Sequence, residues 1–150
     1  MGLCYNFYMN LSAYQISAFI VILLFSIILS IQDIKTLEVD IHIQWASIYA
    51  ALACHLIFAR ESMWIYIVSS MLCGAFYFAV RKITKNKLGP ADVWFGFFQG
   101  LFLLPYQIPV CLGVEVVATL IIINKNFGHK RFAFIPFMSF GLIITYAMTV

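Results

Sequence analysis

Charge is what this chain has least of. Only 10% of its 150 residues are Asp, Glu, Lys or Arg, against 64% hydrophobic ones, and its mean hydropathy is +0.99. A water-soluble domain carries roughly a quarter charged residues, so the composition excludes that class and implies an integral membrane protein. Clustered cysteines are missing too. Cys4, Cys54, Cys73 and Cys111 are scattered, with no CxxC pair and no Cys/His cluster, which leaves neither a zinc site nor a redox motif. They read as small buried hydrophobes. There is no internal repeat and no low-complexity tract. No basic segment precedes the first apolar run, which continues from Leu11 to Ile31; it reads as a retained helix rather than a cleaved signal.

What is present is a series of apolar runs. Hydropathy marks spans at Leu11–Ile31, Ile41–Ala59, Met63–Val80, Val93–Leu104, Gln107–Ile123 and Phe132–Val150. Each helical crossing takes about 20 residues, so residues 1–150 are expected to form a single membrane domain, an all-α bundle of about six transmembrane helices. The fourth run is short, and Pro105 and Pro109 punctuate the passage to the fifth. Such a run is expected to be supported by protein neighbours rather than lipid.

The formal net charge of +3 is distributed as membrane topology rather than as a nucleic-acid surface, and no nucleic-acid partner is expected. With six spans and an external N-terminus, Lys35, then Arg81, Lys82, Lys85 and Lys87, then Lys125, Lys130 and Arg131 all fall in cytoplasmic loops, leaving Arg60 outside. Removing the fourth span would place the last three outside, so the charge pattern itself argues that the short run crosses.

Two carboxylates stand out against this background. Asp33 follows the first run and Asp92 leads into the fourth, both on the cytoplasmic side of that topology. Ionisable groups at the mouth of a span are costly, so a chain that carries two invites a functional reading, although loop-end carboxylates taken alone are more often structural or solvated. Two close aspartates cannot both ionise cheaply, so one stays protonated while its partner acts as a base. Such a pair can activate water against a peptide carbonyl and protonate the oxyanion and the leaving amine. This chemistry needs no cofactor and no metal.

The surrounding residues narrow the reading. Asp33-Ile34-Lys35-Thr36-Leu37-Glu38-Val39-Asp40 resembles the first catalytic motif of the type IV prepilin peptidases, in which an Asp precedes a basic residue, often a Thr, and then Pro and Asn or Asp. Leu88-Gly89-Pro90-Ala91-Asp92-Val93 is similar to the family's GxGD motif. Phe134-Ile135-Pro136-Phe137-Met138-Ser139-Phe140-Gly141 resembles its closing Pro-Phe-x-x-x-x-Gly element. The three occur in the family's order.

The resemblance implies a GxGD-type intramembrane aspartyl endopeptidase. It would cleave the basic leader of prepilin-like proteins at the cytoplasmic membrane surface, with Asp33 and Asp92 catalytic and Thr36, Asp40, Gly89, Pro90 and Ala91 shaping the site or binding substrate. The N-terminal domain with paired CxxC motifs that many members carry has no counterpart in this sequence. A protease-only form is expected, with no methyl transfer and no S-adenosylmethionine site.

Two positions depart from the pattern. Val39 stands where the family has Pro, a tolerable change at a helix start. Ala91 stands where GxGD has its second Gly; a glycine there implies a conformation or close approach that Ala resists, so Ala91 is expected to shift the Asp92 loop or narrow substrate choice. Pro90 stiffens the same turn.

Other polar residues have plainer readings. Asp40 serves equally as N-cap of the second helix. Glu38 and Lys35 suit a solvated loop, and Lys85 and Lys87 suit anionic headgroups. Glu115 lies well inside the fifth span and is expected to be protonated or to face the bundle interior. His55 reads as a hydrogen-bonded interior residue, and Trp45, Trp64 and Trp94 as interfacial anchors. Two rival functions stand beside the protease: a small proton- or cation-coupled transporter subunit, and a catalytically inactive pilus or secretion assembly subunit. Transport carboxylates usually lie near the midplane in broken or repeated helices, unlike these. Retention of both aspartates argues against inactivity.

Overall fold

A computed structural model describes residues 2–123 and 133–148, with side chains from 13 to 121 and from 133 to 148. Among them it contains α1 (Gly2–Thr36), α2 (Ile41–Phe58), α3 (Met63–Ile83), α4 (Pro90–Gly100), α5 (Ile108–Ile123) and α6 (Ile135–Ala147), with short 3-10 turns at Arg60–Ser62 and Pro105–Gln107. No strand occurs among the described residues. By length and composition Ala13–Thr36, Ile41–Phe58 and Arg60–Ile83 can each cross a membrane, while Pro105–Ile121 and Ile135–Ala147 are apolar but shorter.

Helix boundaries follow local chemistry. The Asp40 carboxylate accepts the His42 N–H at 2.8 Å and caps α2. α1 stops at Leu37, which adopts φ 54° and returns its N–H to the Asp33 carbonyl at 3.0 Å. α3 ends similarly through Lys85 (φ 54°) and Asn86 (φ 62°), with the Asn86 N–H on the Arg81 carbonyl at 2.8 Å. Pro90 occupies the first turn of α4, where its missing N–H leaves nothing unsatisfied.

The helix ends differ most from the apolar runs in α1, which already begins at Gly2 rather than Leu11, and in α4. α1 continues past Ile31 to Thr36, so Asp33 sits on its last turns rather than beyond it. α4 starts at Pro90 and stops at Gly100, where the sequence suggests Val93–Leu104; residues 101–104 are turn, because Pro105 blocks continuation of the helix. The third basic loop, with Lys125, Lys130 and Arg131, lies outside the described residues.

α4 is the centre of the bundle. It packs on α2, α3 and α6, while α1 packs on α2 and α6, and α5 on α6. Neighbouring side chains hold its backbone carbonyls: Gln44 donates to Ala91 at 2.7 Å, Ser70 to Phe97 at 2.7 Å, and His55 Nε2 to Leu101 at 2.5 Å. His55 therefore carries its proton on Nε2. Gln44 and His55 meet the two ends of α4 in chain order, so α2 and α4 run parallel, and α3 runs against both. Close approach is allowed by glycine: a Cβ at Gly100 would strike the Ser69–Ser70 backbone, and one at Gly74 the Phe97 ring. An 11-residue helix is only about 17 Å long, and this packing covers it.

α1 presents its two faces differently. Tyr14, Ala18, Ile22, Ser26, Leu29 and Asp33 are buried, whereas Ile16, Ile20, Leu24, Ile27, Ile31 and Ile34 are exposed. α2 and α3 add Ile57 and Met71 to the outward-facing apolar side chains.

Candidate functional site

The buried face of α1 ends in Asp33, which is 7% exposed, and the first turn of α4 carries Asp92, also 7% exposed. α1 runs antiparallel to α2, so its C-terminus lies beside the start of α2, and through Gln44 beside the start of α4. Both aspartates line one cleft of about 1040 Å³, together with Gln44, Lys87, Trp94 and Phe134.

Each carboxylate sits at a helix N-terminus. Asp92 accepts the Gly89 N–H at 2.9 Å, closing the first turn of α4. Asp33 accepts the Ile135 N–H at 3.0 Å, so it caps α6 from across the bundle. The free N–H groups and positive dipole end of a helix favour a carboxylate placed there. Burial works the other way at Asp92. Desolvation first, then the charge of Asp33, push its carboxyl up to about 7, opposed by the Gly89 N–H and the charge of Arg81. The pair is thus arranged to hold a single proton near neutrality.

Of the residues that the sequence nominates around the pair, Gly89, Pro90 and Ala91 line the cleft, whereas Thr36 and Asp40 do not. The exposed Thr36 hydroxyl lies 2.9 Å from the Gln32 carbonyl and 2.5 Å from the Glu38 carbonyl, bracing the end of α1. Asp40 caps α2. Ala91 lies in the regular first turn of α4 and is not among the residues with positive φ, so its conformation does not require glycine. The tight place is Gly89, where a Cβ would stand 3.2 Å from Asp92 Oδ2. Trp45 and Trp94 pack together, ring centroids 4.9 Å apart, at the α2–α4 seam, and Trp64 is 76% exposed.

Four contributors escape a reading of the sequence. Gln44 lines the cleft and ties α2 to the Asp92 turn; a lone amide in an apolar span is its only signal. Ile135 contributes a backbone N–H, which no side-chain pattern reveals. Arg81 projects its charge toward Asp92, with Nε buried and unpaired. Leu37 lines the cleft in a left-handed conformation that has no sequence signal in a leucine. No group of His, Cys, Asp and Glu among the described residues is arranged to hold a metal ion.

No protein-family model matches this chain, and neither a curated protein nor a solved structure is detectably similar to it.

Proposed function

We propose that this protein is an aspartyl endopeptidase of the cytoplasmic membrane, a six-crossing bundle with an external N-terminus, that cleaves the leader peptide of prepilin-like proteins. The observation that carries the reading is the meeting of Asp33 and Asp92 in one cleft, each at a helix N-terminus. The outward apolar surface and the alternating directions of the helices support the membrane placement. The motif resemblance around both aspartates supports the substrate class.

In this reading Asp92, the more proton-retentive partner beside a charged neighbour, keeps the shared proton and Asp33 is the base. Asp33 takes a proton from water, the resulting hydroxide adds to the scissile carbonyl, and Asp92 donates its proton to the oxyanion. Collapse of the tetrahedral intermediate breaks the C–N bond and releases the amine, which takes up the proton that Asp33 accepted, while a hydroxyl of the intermediate returns its proton to Asp92 as the new carboxyl forms. A cleft of about 1040 Å³ admits both water and an extended segment of peptide.

The test is co-expression with a tagged prepilin-like substrate, following leader loss by gel shift and mass spectrometry in wild type, Asp33→Asn and Asp92→Asn. Cleavage by the wild type alone, at equal expression, establishes the paired-aspartate mechanism. Cleavage that survives either substitution overturns it.

A further inference from the structure

A second buried carboxylate stands away from the cleft. Glu115, 1% exposed on α5, accepts hydrogen bonds from the Tyr77 hydroxyl of α3 and from Gln99 Nε2 of α4. Gln99 Nε2 also lies 2.7 Å from Cys111 Sγ, whose thiol is 3.4 Å from Glu115 Oε1. α5 packs closely on α6 but not on α3 or α4, so the Glu115 side chain spans a gap that the backbones leave. Gly141 of α6 makes room for it, since a Cβ there would collide with Glu115 Cγ.

Both donors lead to the cleft. Gln99 lies two helical turns after Asp92, on the same face of α4. The Tyr77 ring presses on Gly96, one turn after Asp92, where a Cβ would overlap it. That ring also meets Phe134 edge-on at 6.5 Å. Phe134 lines the cleft, and the next residue, Ile135, supplies the N–H on Asp33. The Tyr77 ring therefore wedges between the helix that carries Asp92 and the segment that holds Asp33, and Glu115 fixes its hydroxyl.

We propose that Glu115 is a positioning residue: through Tyr77 and Gln99 it sets the placement of Asp92 relative to Asp33. A buried side-chain hydrogen bond is directional, so it locks the rotation of α4 about its axis, which apolar contacts constrain only loosely. This role deepens the protease reading and rests on it for its catalytic consequence, but the geometry it asserts is independent of any activity.

The experiment measures both. Spin labels at Lys35→Cys and Lys87→Cys, two exposed positions beside the aspartates, in a Cys4→Ser background, report the distance between the α1 end and the α4 entry in nanodiscs. Leader-peptide kinetics are measured on the same substitutions without labels. Glu115→Leu should shift or broaden the inter-label distance and lower kcat about tenfold or more with KM little changed, since small misplacements of reacting groups are costly. Glu115→Gln, which keeps an acceptor for Tyr77, should restore most of both. Tyr77→Phe keeps the ring and removes one donor; it decides the matter if Glu115→Leu fails to fold, and should broaden the distance to a smaller extent. An unchanged distance in Tyr77→Phe and in every folded Glu115 variant overturns the proposal. A changed distance in a protein that cleaves no leader keeps the positioning role and removes the protease.

Discussion

The Asp33 carboxylate on α1 accepts the backbone N–H of Ile135, the first residue of α6, at 3.0 Å. One side chain thus serves as the cap of a distant helix and as half of the paired-carboxylate cleft. Structure and proposed chemistry are coupled there, and substitutions can separate them.

Asp33→Asn keeps an acceptor for Ile135, so its thermal stability in detergent should stay close to wild type while leader cleavage is lost. Asp33→Ala leaves a buried N–H unpaired, which should cost about 1–3 kcal/mol and lower the melting temperature measurably. Equal melting temperatures for the two variants would show that the α6 cap contributes nothing.

The pH dependence follows from Asp92. Its folded pKa of about 7 stands above the ordinary value of 3.8, so the folded protein retains this proton where the unfolded chain has released it. The associated stabilisation is complete below about pH 4 and is lost as pH rises through about 7. In the proposed mechanism cleavage needs the same proton, so kcat/KM should decline above about pH 7. The charges facing Asp92 are Asp33 and Arg81, and Glu38 and Lys87 also line the cleft. Arg81→Gln removes a charge that favours the ionised form, so the alkaline limb should move to higher pH. A pH–rate profile in which that limb stays in place would remove Arg81 from the account.

Gly89 and Ala91 make opposite predictions. Gly89→Ala brings a methyl to 3.2 Å from Asp92 Oδ2 and should lower kcat by displacing the carboxylate. Ala91→Gly relieves no strain and should instead destabilise α4 by about 0.5–1 kcal/mol, with no gain in cleavage. A gain on Ala91→Gly, read in the same peptide assay, would show that Ala91 disables the enzyme.

Leu37 is held at φ 54°, a conformation that costs a side-chain-bearing residue about 1–2 kcal/mol. Leu37→Gly should remove that cost and, after the greater freedom of glycine in the unfolded chain, raise stability by about 0.5–1 kcal/mol. The melting temperature checks it. A fall would mean that the leucine side chain contributes more packing than its backbone conformation costs.

α2 and α3 were readable from hydropathy to within a few residues, because long apolar runs end where charge begins, whereas α1 runs from Gly2 to Thr36, beyond both ends of the run Leu11–Ile31. α4 was less so. It starts at the Gly89-Pro90 turn, before the apolar run begins, and it stops at Gly100, ahead of the run's edge at Pro105. The two aspartates drew attention through their rarity in an apolar chain, and of the two readings open for Glu115, protonated or facing the interior, burial shows the second. Two of its partners were not readable: Tyr77 and Gln99 come from α3 and α4 at no helical spacing from it, whereas Cys111 stands one turn before it on α5.

Sequence alone determined the all-helical class of this molecule, most of its helical elements and which few polar residues stand among apolar ones, since composition and run length act locally and need no partner. Only tertiary structure decided which face of each helix is buried. α1 is apolar on both faces, so no periodicity distinguishes Leu29 from Ile31; packing against α2 and α6 buries the first, exposes the second and carries Asp33 inward with it. The same packing decided that Asp33 meets Ile135 rather than water and that Asp92 shares its cleft. Long-range contacts of this kind arise from the fit of whole helices, and that fit is a property of the assembled bundle.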